Sequence, residues 1–222
     1  VTSPELPWPE LEQQVHAALG SAIEREPLRQ APRFPGQEQR VFAVTDIHVD
    51  KDANAEWLRQ LSRRGDFIND VLIVCGDVAD EITVLSDALE ILASTFGTVF
   101  FMPGNHDLWV RGRERLHFSN SIEKLIHVLQ LCESLGIKLG PAQVGDVWIS
   151  PVWSWHHSSF DKEPDLDLKT AAYTRYIKDY TACKFPPDMP GSKEPGSVEL
   201  AGWFDELNSL SLSRLSDRQP HE

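Results

Sequence analysis

The sequence predicts an α/β fold with a mixed, largely parallel sheet, and three observations carry that prediction. Short apolar runs alternate with amphipathic stretches of about 10–15 residues, the pattern of strand–helix–strand units. Three of those runs, 41–45, 71–75 and 98–102, lead at once into loops rich in Asp, Asn, His and Gly. The composition is 41% hydrophobic and 25% charged over 222 residues, which suits a soluble chain able to bury one sizeable core.

Taken in order, residues 9–25 form the first expected helix, with Leu11, Val15, Ala18, Leu19, Ala22 and Ile23 on one stripe. Pro27, Pro32 and Pro35 then mark an irregular linker. Residues 1–39 are therefore expected as an N-terminal helix and linker, residues 40–210 as the main domain and residues 211–222 as an irregular, poorly packed tail. Within the main domain, a helix over 53–64 carries Trp57, Leu58 and Leu61, and one over 81–95 carries Leu85, Leu89 and Leu92. The best bounded helix is 121–135, where Asn120 with Glu123 resembles a capping box and Gly136 suits the position after the last turn. Residues 137–139, 142–144 and 147–150 are short strand candidates, expected as a hairpin or meander at the sheet edge. Beyond Pro151, a helix is expected over 167–180, a Pro/Gly-rich loop over 184–198 and a last helix over 200–210.

Net charge is −13, which disfavours general affinity for nucleic-acid backbone or anionic membrane. No apolar run approaches the ~20 residues that span a bilayer. Cys75, Cys132 and Cys183 are an odd set without metal-ligand spacing, which fits a reducing, intracellular setting. Cys75 is expected to pack inside its strand. The chain starts at Val1, which a removed targeting segment or a longer parent would each explain.

The polar ends of the three apolar runs carry the chemistry. They read Asp46-Ile47-His48, Gly76-Asp77 and Gly104-Asn105-His106-Asp107, and sites in α/β folds assemble at the carboxyl ends of strands. Asp46, His48, Asp77 and Asn105 are hard or borderline donors, suited to Mn, Fe, Zn or Mg. Two such ions about 3.5–4 Å apart can clamp the attacking and leaving oxygens of an in-line phosphoryl displacement. Asp77 is the natural bridging carboxylate, and His106 is placed to protonate a leaving alkoxide.

In order and spacing, these motifs resemble the first three of the calcineurin-like metallophosphoesterase superfamily, with 31 positions from Asp46 to Asp77 and 28 from Asp77 to Asn105. The likeness covers roughly residues 40–110 and, more weakly, on to about 165. It implies a partial αββα sandwich and two divalent metal ions. Asp46 and His48 would bind the first ion, Asp77 would bridge and Asn105 would bind the second. His106 would be the acid or phosphate-contacting group, and Asp80 would orient it. The implied reaction is hydrolysis of a phosphoric mono- or diester by a metal-activated hydroxide.

Asp80 is followed by Glu81-Ile82 rather than the Arg-Gly of Ser/Thr phosphatases, and the third motif ends in Asp107 rather than Glu. Nor is Asp80 the tyrosine of purple acid phosphatases, so the chain resembles the broad class of small, plant- or algal-type phosphoesterases. The fourth and fifth family motifs, the last a Gly-His-x-His, have no counterpart here. Half of the imidazoles are therefore expected to be missing. This leaves open an enzyme completed by further sequence and a non-catalytic product with a partial metal site. A nuclease fits the charge poorly.

The expected partner is a phosphorylated small molecule or other phosphoester, with no membrane or nucleic acid. Self-association through exposed core is also expected, because absent later strands would leave an open sheet edge. His156-His157 is read as a surface or substrate-side loop, and Trp148, Trp153 and Trp155 as core or cleft wall. The acidic run 161–167 is read as a solvated loop.

Overall fold

The computed structural model describes residues 6–25, 29–30, 34, 36–160, 162–163 and 177–216. Three parallel strands, β2 (Val41–Val44), β3 (Val71–Val74) and β4 (Thr98–Phe101), form one sheet in the order β2-β3-β4. Helices α2 (Asp52–Arg64) and α3 (Ile82–Thr95) are the two crossovers. A second sheet has the order β1-β5-β6, with β1 (Arg29–Gln30) parallel to β5 (Ala142–Val144) and β5 antiparallel to β6 (Val147–Ile149). The mixed, largely parallel character follows from short helical crossovers on one side and a hairpin on the other.

Strand alternation divides the core in two. Leu72, Val74, Val99 and Phe101 face the helices and join the large cluster formed with α1 (Trp8–Arg25), α3 and α4 (Ser121–Leu135). Val71 and Phe100 point the other way, onto Ala142 and Val144 of the second sheet. The layering is thus helix, sheet, sheet. Helix α4 has the expected ends: the Asn120 side chain accepts from the amides of Ile122 and Glu123, and Gly136 takes the left-handed conformation. The reciprocal bond of the box is displaced by one residue, since Glu123 accepts from the Ser119 amide.

Several expectations change. Helix α1, expected with its linker as a region before the main domain, packs into the same core, with Leu11, Val15 and Leu19 fully buried against α4. The expected last helix is two, α6 (Val198–Glu206) and α7 (Asn208–Ser216), so the region thought irregular from 211 is helical to 216. Buried Ser211 sits on the inner side of α7, where a hydrophobicity stripe gives little signal. Residues 137–139 do not form a strand of their own; Lys138 makes a single parallel bridge to Phe100 at the free side of β4. Cys75 lies one residue past β3 and is exposed rather than packed. Most of the expected 167–180 helix and of the acidic 161–167 run lies outside the described residues, and a short helix α5 (Asp179–Ala182) is seen at its end. Among the described residues no helix is long and apolar enough to cross a membrane.

The start of the main sheet is fastened by one ion pair. Asp70 accepts from the Arg40 amide at 2.9 Å and from Arg40 Nε at 3.0 Å. Burial pushes the Asp70 carboxyl up, but the Arg40 bonds outweigh that and hold it below the usual carboxylate range. A carboxylate whose folded pKa is depressed stabilises the fold above its unfolded pKa, and that stabilisation disappears as pH falls through the folded value. Asp70→Asn should therefore lower urea stability at neutral pH, and the gap to wild type should close below about pH 4. A gap independent of pH would refute the charge pairing.

Strand β2 is the open edge of this sheet, and Val41 is 50% and Phe42 36% exposed. An apolar edge of that kind is a template for pairing with another strand. The chain should sediment as concentration-dependent oligomers, and Val41→Lys should shift it toward monomer. A monodisperse wild-type monomer in sedimentation velocity would contradict this.

Candidate metal centre

The ends of β2, β3 and β4 lie side by side in parallel register, so the loops that follow them converge. The amides of Asp46, His48 and Val49 donate to the carbonyls of Gly76 (3.2 Å), Asp77 (3.0 Å) and Val78 (2.9 Å), continuing the β2–β3 pairing past the strands. Three residues here carry left-handed backbone without being glycine: Asp46 (φ 55°), His48 (φ 45°) and Asp77 (φ 55°). Each costs roughly 1 kcal/mol or more. All three are residues for which the resemblance implied a metal-binding role, and of them His48 and Asp77 come together with His106.

Asp107 holds that arrangement. It is fully buried, and its carboxylate accepts four backbone amides: Asp77 and Gly104 at Oδ2, both 2.9 Å, and Val78 (2.9 Å) and Ala79 (3.1 Å) at Oδ1. Burial pushes its carboxyl up to about 6, while the amide donors pull the other way by favouring the anion. The glycines of the motifs have a steric explanation. A Cβ on Gly76 would run into the Gly104 backbone, and one on Gly104 into the Asp77 carboxylate. Gly76 also has φ +77°.

His48, Asp77 and His106 each offer a ligand atom within 4.8 Å of the others. The His48 and His106 rings meet edge to face at 4.6 Å. Asp77 Oδ1 accepts the His106 amide at 3.0 Å. Burial raises the Asp77 carboxyl, and nearby Asp46 adds to the rise. A bound cation would reverse both effects. Two further carboxylates stand beside His48: Asp50 Oδ1 is 3.9 Å from Nδ1 and Asp46 Oδ1 is 4.0 Å from Nε2, but the Asp46 side chain is 62% exposed and accepts from Thr45 Oγ1 at 2.7 Å. Oxygen and imidazole donors at this spacing fit a divalent cation such as Mn, Fe, Zn or Mg.

The structure thus brings His106 among the converging donors, where the resemblance implied only an acid or phosphate-contacting role. Its Nδ1 lies 2.6 Å from Asp80 Oδ1. An ionised carboxylate is an acceptor only, so the hydrogen sits on Nδ1, and Nε2 is the atom left for a ligand or a proton. Asp80 also pairs with Arg111. Burial pushes the Asp80 carboxyl up, yet the His106 and Arg111 bonds outweigh that and keep it low. Asp80 does not cap α3; Glu81 occupies the cap position without a side-chain bond.

Sequence reasoning missed four supporting residues. Trp109 lies 3.6 Å from the His106 ring, tilted by 30°. Asp179 accepts from Asn105 Nδ2 at 2.8 Å and from Trp109 Nε1 at 2.7 Å. Lys124 is fully buried on α4, donates to the carbonyls of Asp80 and Trp109, and faces Glu114 at 3.0 Å. Burial lowers its pKa. Asp107 is the fourth. Only a lysine inside the apolar stripe of α4 could have been noticed beforehand. A cavity of about 550 Å³ opens beside Asn105, walled by Phe100, Ile149 and Trp155 with His156 at its lining.

Comparison with known proteins agrees with this geometry. The calcineurin-like phosphoesterase family model matches residues 39–178, and the chain belongs to that family. The chain is similar to the [acyl-carrier-protein] phosphodiesterase PptH of Mycobacterium tuberculosis, with 27% identity over 113 residues, 51% of this chain and 34% of that protein. The crystal structure of phosphopantetheinyl hydrolase (PptH) from the same organism superposes with a TM-score of 0.61 at 21% identity. That match covers 83% of this chain and 65% of the other, and it supports the fold. The chain spans about a third of the length of this curated relative.

The four bonds to Asp107 define a stability test. Asp107→Asn turns an NH₂ toward two amide donors and leaves them unsatisfied, which should cost roughly 2–5 kcal/mol in urea unfolding. A loss below about 1 kcal/mol would show that the two loops hold together without it.

Proposed function

We propose that this chain provides the metal-binding and proton-donating part of a phosphoester hydrolase, with phosphodiesters as the preferred substrates. The observation that carries this reading is the convergence of His48, Asp77 and His106 within 4.8 Å, with His106 Nδ1 held by Asp80. Two divalent ions, when bound, supply Lewis acidity toward phosphoryl oxygens and a hydroxide nucleophile near neutral pH. Asp46, His48, Asp77 and Asn105 would hold them. His106, oriented by Asp80, presents Nε2 and donates a proton to the departing alkoxide. Asp107 and the glycine contact keep these groups in place without touching substrate.

The preference for diesters rests on the likeness to a phosphodiesterase and on the cavity beside Asn105, which leaves room for an organic substituent on phosphorus. A phosphopantetheine-type diester is the first compound to test. The acidic balance of −13 disfavours a nucleic-acid substrate. An intracellular setting is in keeping with three free thiols.

One observation favours a second reading, a non-catalytic protein that binds a single ion. The three converging donors account for one cation, and the Asp46 carboxylate is turned toward Thr45. Calorimetric titration with Mn²⁺ separates the two, since the hydrolase reading requires two ions per chain. Hydrolysis of bis(p-nitrophenyl) phosphate should depend on Mn²⁺ and stop with a chelator. His106→Ala should lower the rate by about 10²–10⁴-fold, and Asp77→Asn should abolish it. Rates unchanged by both substitutions would rule out this site as the catalyst.

A further inference from the structure

We infer that Asp179 is a positioning residue that selects which atom of Asn105 is available to a metal ion. The inference rests on the reading above of Asn105 as a ligand. A side-chain amide has two ends of nearly equal shape, and only its oxygen can ligate a hard cation. Asp179 Oδ1 accepts from Asn105 Nδ2 at 2.8 Å and from Trp109 Nε1 at 2.7 Å. The indole is a donor only and the carboxylate an acceptor only, so the Trp109 bond fixes the role of that oxygen. Reversing the amide would set Asn105 Oδ1 against it, oxygen to oxygen. Asn105 is thereby held with Nδ2 toward Asp179 and Oδ1 directed away from it.

The same carboxylate holds the ring that lies 3.6 Å from His106, so one residue touches both the ligand and the neighbour of the imidazole. Asp179 is itself anchored. The Val110 amide donates to the Ala182 carbonyl at 2.8 Å, and Ser121 and Lys184 exchange two bonds of 2.6 and 2.8 Å. The segment 179–184, more than 70 residues past the third motif, is in this way built into the site.

The test compares Asp179→Leu, which removes the acceptor, with Asp179→Asn, whose oxygen can still accept both donors. Mn²⁺ affinity of the full chain, measured by calorimetry, should fall about 10–100-fold in the leucine variant and stay near wild type in the asparagine variant. In metal-free nitrogen–proton spectra, the Asn105 amide and Trp109 indole signals should shift only in the leucine variant. Equal Mn²⁺ affinity, or unshifted Asn105 signals, would overturn the proposal. In the unmutated chain these bonds should slow solvent exchange of both groups. Fast exchange of both would overturn it even if the leucine variant fails to fold. A wild-type chain that binds no Mn²⁺ would refute the ligand reading of Asn105, and the amide spectra would then decide its orientation alone.

Discussion

Four backbone amides converging on one buried carboxylate are the constraint on which the site depends. Asp107 belongs to the loop after β4, and three of its four donors belong to the loop after β3. It therefore ties together two loops that would otherwise be free to separate beyond the ends of their strands. The glycine pair adds the complementary condition, since the loops can approach closely enough only if neither residue carries a side chain. Attraction from the carboxylate and absence of bulk at the glycines together set the separation of Asp77 from His106. Such partners orient donor groups without being donors themselves.

The strained backbone follows from the same constraint. Asp46, His48 and Asp77 hold left-handed conformations that unconstrained residues of their type seldom adopt. Around them the chain is over-determined: amide-to-carbonyl bonds continue the sheet past its end, and Asn54 of α2 donates to the carbonyls of Ile47 and His48. The strain is stored where charge is also crowded. Burial, with Asp46 adding to it, raises the Asp77 carboxyl, so the anion is disfavoured there and a nearby positive charge would favour it. Strained backbone and a disfavoured carboxylate thus coincide at the ends of β2 and β3.

Much of this was legible in the sequence because it follows from local patterning. Three apolar runs gave three parallel strands, and their polar ends gave His48, Asp77, Asn105 and His106 at adjoining loops. Asn120 and Gly136 bounded α4 as their chemistry requires. What escaped detection depends on tertiary placement. Asp107 reads as the end of a turn, and nothing in its neighbours shows that it will be buried with four donors around it. Lys124 sits at a helix position that apolar periodicity assigns to the core, and a buried ammonium is intelligible only once the Asp80 and Trp109 carbonyls are seen above it. Helix α7 was missed because its inner face includes Ser211, and Cys75 was misplaced by a strand one residue shorter than its apolar run.

The arrangement around His106 shows how distant parts of the chain cooperate in holding one imidazole. Asp80, at the start of α3, holds Nδ1; Trp109 covers the ring; Lys124, from α4, holds the carbonyls of both. Arg111 bonds the other oxygen of the Asp80 carboxylate and lies over Trp109 at 4.4 Å. A dyad of Asp80 and His106 alone would be free to rotate about its side-chain torsions. With the indole against one face and both backbone segments anchored to a buried ammonium, the imidazole keeps one orientation, Nδ1 toward Asp80. The placement of that ring is consequently a property of the packed helices as much as of the motif that supplies the histidine.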